Sequence, residues 1–294
     1  MKLLTINTHS LHEENYPRKL EEFIDVIAKE RPDIVAMQEV NQTADAPLAG
    51  KPLLVGYVPC KENDILVRED NHAAQAAFRF HFAGLPCFWT WVPAKIGYGK
   101  YDEGMAIFSF NKKITEIDSF YISKIQDYQN WKTRKVLGIR TEGDDNWYYT
   151  VHMGWWQDAE EPFQYQWEQF SSVLNEKRKD STVWLMGDFN SPAEVRNQGY
   201  DCITHSFWYD TYLLAEEKDS GFTVEGVIDG WREFIEDPDS AAGMRIDHIW
   251  CSEPKQIRSS KVMFNRKNGP IISDHFGVMI EIPKILHQEV ATHE

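Results

Sequence analysis

Twice along this chain a short apolar run, an amphipathic helical pattern and a second short apolar run follow one another, and that order admits few folds. Lys2 to Asn7 reads as a strand; Leu20, Phe23, Ile24 and Ile27 then recur at helical spacing, Arg31-Pro32 ends the helix, and Ile34 to Glu39 reads as the next strand. The order returns at Trp147 to His152, at the stripe Phe163, Trp167, Phe170, Val173 and Leu174 within Pro162 to Lys179, and at Thr182 to Met186. Helices set between strands in this way pack on sheet faces, so the chain reads as a layered α/β or α+β protein rather than a repeat array.

The remaining segments fit that frame. Asn41 to Val67 contains Pro47, Gly50, Pro52, Gly56 and Pro59 and reads as a long surface excursion, followed by a helix over Asn71 to Phe82. Strand-like runs at Phe88 to Val92, Met105 to Phe110, Glu116 to Ile122 and Val136 to Arg140 imply antiparallel pairing. A helical and loop-rich stretch from Glu194 to Asp239 leads to closing strands at Arg245 to Trp250, Lys261 to Phe264 and Gly277 to Ile282. No low-complexity linker divides the 294 residues, and the expectation is one domain over 1–294: two mixed sheets face to face with helices outside, an α/β/β/α sandwich.

Charge and cysteine usage narrow the function. With 46 acidic against 31 basic residues the net charge is -15, which repels polyanions at long range and argues against nucleic acid as a partner. Carboxylate-rich chains do suit divalent cations. Cys60, Cys87, Cys202 and Cys251 are far apart and form no C-x-x-C pair, so they read as reduced buried thiols rather than zinc ligands or disulfides. Met1 to Thr8 has no secretory pattern and no apolar run approaches the roughly 18 residues of a membrane span, so the expectation is a cytoplasmic, membrane-free protein.

Chemistry is expected where polar residues interrupt strand ends, because a strand terminus is a rigid base for a catalytic side chain. Asn7 ends the first strand and Glu39 the second, in Met37-Gln38-Glu39-Val40; His152 ends Tyr148-Tyr149-Thr150-Val151-His152. Gly187-Asp188-Phe189-Asn190 follows the strand Val183 to Met186, Ser273-Asp274-His275-Phe276 precedes the last strand, and Asp247 lies inside the otherwise apolar Arg245 to Trp250. Singly, each has a plain alternative: Asn7 and Gly-Asp-Phe-Asn as turns, Glu39 as a solvated strand end, His275 as a core histidine. Asp247 is harder to dismiss, since a carboxylate buried in such a strand needs a partner.

Taken in order, Asn7, Gln38-Glu39-Val40, Tyr101-x-Glu103-Gly104, His152, Gly-Asp-Phe-Asn, Asp247 and Ser-Asp-His resemble the endonuclease/exonuclease/phosphatase superfamily over nearly the whole chain. The resemblance implies a four-layer sandwich and Mg²⁺-dependent hydrolysis of phosphate esters, with Mn²⁺ as an alternative ion. It implies Glu39, Asn7 through its amide oxygen, and Asp274 as metal ligands, with Asp188 orienting the attacking water or touching a second ion, and Asn190 donating to a phosphoryl oxygen. It further implies two histidine-carboxylate pairs, Asp247 with His275 and Glu103 with His152, with Tyr101 beside them and Arg134 on the phosphate. Which histidine is the acid, and whether one or two ions act, stay open at this point.

Three features favour a small phosphorylated sugar as substrate. No run of Lys and Arg offsets the acidic charge. Aromatic residues gather near these motifs: Trp155 and Trp156 after His152, Trp89, Trp91, Tyr98 and Tyr101 before Glu103, and Trp231. Such rings suit stacking on sugars or, equally, core packing. Finally, the stretches Val151 to Trp156, Lys95 to Gly104 and Val227 to Arg232 resemble those of the bacterial maltose 6'-phosphate phosphatase group, which implies a disaccharide phosphate as substrate; Lys95, Lys100 and Arg232 are candidates for local positive charge or, equally, solvated surface. The alternatives are a phosphodiesterase, nuclease or sphingomyelinase-like, and a non-catalytic binding protein on the same fold; the oligomeric state is not legible. The long segments Asn41 to Phe82 and Glu194 to Asp239 are expected to close over the ligand.

Overall fold

In a computed structural model, which describes residues 1–225 and 243–283, the two recurring units are parallel strand pairs bridged by helices. β1 (Lys2–Asn7), α1 (Tyr16–Glu30) and β2 (Ile34–Thr43) form the first, with β1 and β2 hydrogen-bonded in parallel. α1 begins after Asn15 and stops at Arg31, both with left-handed backbone, and Pro32 prevents its continuation. After α2 (His72–Phe82), whose first turn is capped by the Asn71 side chain accepting from the Ala74 N–H, come β3 (Cys87–Gly97) and β4 (Tyr101–Phe110), an antiparallel hairpin. β5 (Ile114–Tyr121), β6 (Lys135–Thr141) and β7 (Asp144–His152) follow as an antiparallel meander. α3 (Phe163–Lys177) then crosses to β8 (Val183–Asp188), parallel to β7, as the second unit.

The closing segments are α4 (Gly199–His205), β9 (Tyr209–Asp210), α5 (Thr211–Leu214), β10 (Ala215–Lys218), β11 (Asp247–Cys251), β12 (Ile257–Met263) and β13 (Gly277–Glu281). One sheet has the order β10-β12-β13-β1-β2-β4-β3, the other β5-β6-β7-β8-β11-β9. Their facing sides interlock through Leu3, Ile34, Ile107, Leu137, Tyr148, Trp184, Met186 and Ile280. α1 and α2 cover the outer face of the first sheet through Phe23, Ile27 and Phe80, and α3 and α4 cover the second through Phe163, Trp167, Phe170 and Ile203. This is the four-layer sandwich, with apolar side chains interleaved between sheets as in other sheet-on-sheet packings.

Several boundaries differ from the sequence reading. β2 does not stop at Glu39 but runs on to Thr43, so Asn41 and Gln42, expected in a surface excursion, are fully buried. A bulge between Met37 and Val40 explains the difference: Glu39 takes a left-handed φ of 51°, its side chain leaves the strand's alternation, and pairing with β4 resumes at Val40. Asp247 is not inside a strand but opens β11, directly across from Asp188 at the end of β8. Gly187 is required there, because a Cβ at that position would lie 2.0 Å from the Val151 carbonyl oxygen. Trp89 and Trp91, part of the expected aromatic cluster, are wholly buried under α2 and serve the core.

Candidate active site

The ends of β1, β2, β7, β8 and β11 converge on one cavity of about 980 Å³, lined by Glu39, Glu103, His152, Asp188, Asn190, Asp274 and His275 among others. Register brings the core of the site together. Asp188 ends β8 with His152 of β7 on one side and Asp247 of β11 on the other. Residues 36 and 59 positions apart in this way become cross-strand neighbours, which no local pattern encodes.

The two histidines sit in opposite electrostatic surroundings. His275 Nδ1 lies 3.0 Å from Asp247 Oδ2, and its Nε2 lies 3.8 Å from Asp188 Oδ2. Burial opposes charge on this imidazole, but Asp247 and Asp188 outweigh it and hold the pKa well above the ordinary histidine value. His152 is driven well below that value, first by burial and then by the positive charges of Arg134, Lys95 and His275. Its nearest carboxylates are Asp188 at 3.6 Å and Glu39 at 4.0 Å. Of these two histidines, His275 therefore favours the imidazolium and His152 the neutral imidazole, the division of labour that acid-base chemistry uses.

The expected Glu103–His152 pair is not formed. Glu103 Oε1 is taken by Lys95 Nζ at 3.1 Å, because a buried ammonium is the stronger claimant on a buried carboxylate than a neutral imidazole. Tyr101, placed with them by sequence, donates its hydroxyl to the Leu11 carbonyl at 3.2 Å and takes no part in lining the cavity. Arg134 is buried rather than exposed; its guanidinium donates to the carbonyls of Trp131 (2.8 Å) and Thr133 (3.2 Å), while Nε is buried without a partner. Trp155 lines the cavity, whereas Trp156 packs on Phe163. Trp231 and Arg232 lie outside the described residues.

Negative charge is in excess around Glu39. Burial, then the charge of Glu103, push its pKa up, and burial does the same at Asp188, where His275 works against the rise. Asn7 donates its amide to Glu39 Oε1 at 2.9 Å and to Asp188 Oδ2 at 3.2 Å, while its oxygen accepts from the His9 N–H. In this arrangement Asn7 bridges two carboxylates instead of presenting the oxygen expected of a ligand, as an uncompensated carboxylate pair demands of a nearby donor. One ligand atom each from Asp188, Asp247 and His275 lie within 4.8 Å of one another, and the second Asp247 oxygen is buried without a partner. Carboxylates that repel one another in a buried site fit a hard divalent ion; the donors that cluster within 4.8 Å are Asp188, Asp247 and His275 and, separately, His9, Glu13 and Asp274, with Glu39 in neither group.

His9 was missed by sequence. Its Nδ1 is 2.8 Å from Glu13 and 3.8 Å from Asp274, and Nε2 is 3.0 Å from the Tyr98 hydroxyl. Against the effect of burial, Glu13, Glu39 and Asp274 raise its pKa to about 9. A histidine two residues past a strand end carries no local signal; only the return of Asp274 to this edge defines it.

A sandwich with paired sheets, convergent strand ends and a carboxylate-histidine cavity is the arrangement of a phosphoesterase. The chain belongs to the endonuclease/exonuclease/phosphatase family, whose model matches residues 4–275, and is a phosphoric ester hydrolase; enzymes of this family generally depend on a divalent metal. A family protein from Leptotrichia buccalis is similar at 32% identity, with 96% of this chain and 99% of that chain covered and a TM-score of 0.81. A mannosyl-6-phosphatase of Bacteroides thetaiotaomicron shares the fold at 16% identity (96% and 99% covered, TM-score 0.61). So does a truncated TDP2 of Caenorhabditis elegans at 15% identity (95% and 96%, TM-score 0.57). No curated protein sequence matches the chain. Among the described residues no helix is long and apolar enough to cross a membrane.

Proposed function

We propose that this protein is a single-domain, cytoplasmic, Mg²⁺-dependent phosphomonoesterase that releases inorganic phosphate from a small phosphorylated sugar, with maltose 6'-phosphate or a related disaccharide phosphate as the preferred substrate. The observation that carries the reading is Arg134: a guanidinium only 8% exposed, facing the cavity, with no carboxylate in salt-bridge reach among the described residues. Glu103, Glu39, Asp188 and Asp158 support its charge from a distance but none bonds to it, so the planar guanidinium is left to receive a phosphoryl group. Lys95, whose pKa burial and Arg134 both lower, adds a second positive charge beside it.

The remaining residues fall into roles around that phosphate. Asn190, in a left-handed turn with its N–H bonded to Asp188 Oδ1 at 2.8 Å, lines the same cavity; its side-chain amide, which donates to the Met153 carbonyl at 3.0 Å, would turn to a phosphoryl oxygen on binding. Asp188 orients the attacking water. His275, kept protonated by Asp247, donates to a phosphoryl oxygen or to the leaving alkoxide, and neutral His152 accepts a proton on the opposite side. A divalent ion would be held by carboxylates at this edge, with Glu39, Asp188 and Asp274 as the expected donors, and would supply charge neutralisation at the phosphate.

Lys132 Nζ is bonded to Asp158 and to Glu160 at 2.8 Å each, which ties the β5–β6 loop to the β7–α3 loop beside a cavity sized for a small phosphomonoester. The mannosyl-6-phosphatase on the same fold is consistent with such a substrate. Phosphate release with Mg²⁺, with and without EDTA, across maltose 6'-phosphate, glucose 6-phosphate and a nucleotide tests the reading, with plasmid nicking run in parallel. EDTA-sensitive release from sugar phosphates is the expected result; nicking without phosphate release would make the protein a phosphodiesterase.

A further inference from the structure

Trp131 is the most exposed tryptophan with a described environment at the cavity, 62% exposed on its rim, while Arg134 three residues on is buried at its floor. Among the described residues no aromatic ring stacks on it. An indole left in water is unfavourable by its apolar area, and that cost falls when a ligand covers it.

The backbone that carries the indole is also held in place. The Trp131 carbonyl accepts from both Lys95 Nζ (2.9 Å) and Arg134 Nη1 (2.8 Å), so the two floor cations anchor the rim residue through its backbone. Next to it, Lys132 lies 5.3 Å from the ring and is itself fixed by Asp158 and Glu160. Thr133 closes the loop on the Asp127 carbonyl at 2.6 Å, and Glu161 ties the facing loop to the Lys124 and Ile125 N–H groups. A ring carried on backbone fixed in advance has less freedom to lose on binding, which favours recognition.

Resting on the sugar-phosphatase reading above, we infer that Trp131 is a specificity-determining residue: it stacks on the sugar ring farther from the phosphate and thereby selects disaccharide over monosaccharide phosphates. The depth of the site sets this assignment. A phosphate on Arg134 fills the floor, the ring that bears it occupies the interior, and a second ring reaches the rim. The cavity, at about 980 Å³, lies near the upper end of the ~300–1,000 Å³ of small-molecule sites and has room for both rings.

The test is the ratio of kcat/KM for maltose 6'-phosphate to that for glucose 6-phosphate in wild type, Trp131→Ala and Trp131→Phe, together with competitive inhibition by maltose. The ratio should fall about tenfold in Trp131→Ala, through KM rather than kcat, with maltose inhibition weakened in parallel; this is the loss expected of one aromatic contact. Trp131→Phe should recover most of it. An unchanged ratio, or an equal fall for both substrates, overturns the inference while leaving the sugar-phosphatase reading standing. A wild-type enzyme that releases phosphate from neither sugar overturns both.

Discussion

His275 and Asp247 are joined by a 3.0 Å contact between Nδ1 and Oδ2, both side chains buried, and the second Asp247 oxygen has no partner. The pair fixes the histidine's orientation and its charge together. Removing the charge at Asp247 should therefore act on the pH profile as well as on the rate. Asp247→Asn lowers the pKa of His275, so activity that needs the imidazolium disappears at lower pH than in wild type. The alkaline limb of kcat/KM should move toward acid; a profile that only scales down would assign Asp247 a purely structural role.

Asp188 lies among His152, His275 and Asn7, and its oxygens also receive the Asn190 N–H. Asp188→Ala and His275→Ala should each reduce turnover by at least about a hundredfold at saturating metal, with circular dichroism unchanged. Near-wild-type rates would refute those roles.

Metal binding and stability should be opposed at Glu39. Burial and the charge of Glu103 disfavour its ionised form, so metal-free Glu39→Gln should melt above metal-free wild type. Mg²⁺ should raise the melting temperature of wild type, since it binds the folded state, and should do so far less in the variant. Thermal melts with and without EDTA decide the matter.

Outside the site, two buried histidines govern acid stability. His72, against the Tyr16 hydroxyl at 2.9 Å, and His248, against Arg245 at 3.1 Å, both have folded-state pKa values lowered by burial to about 3. The unfolded value is near 6.5, so the stabilisation is complete above that pH and is lost as pH falls from there toward 3. Each should cost about 2 kcal/mol by about pH 5. Urea midpoints at about pH 7.5 and about pH 5 measure the difference, and a flat result would remove the assignment.

Arg134→Gln should weaken competitive inhibition by inorganic phosphate by at least about tenfold, and Arg134→Lys should restore only part of it, because an ammonium keeps the charge but not the fork. Inhibition constants in the two variants provide the check.

The layered fold was legible because strands and helices advertise themselves locally: Leu20, Phe23, Ile24 and Ile27 share a helix face whatever surrounds them. Glu39, Asp188, Asp247 and His275 were legible too, as polar residues at or near the ends of apolar runs, where burial without purpose is costly. Chain order could not say which charged groups would touch. Glu103 met Lys95 instead of His152, Arg134 was drawn to the cavity floor by carbonyls of its own loop, and His9 became part of the site only when Asp274 came back to the same sheet edge. Local backbone preference and apolar periodicity act over a few residues, so the sequence by itself determined the elements and the chemical inventory. Coulomb interaction and desolvation depend on distances that strand register alone sets, so pairing, protonation and the shape of the cavity were decided by the tertiary structure.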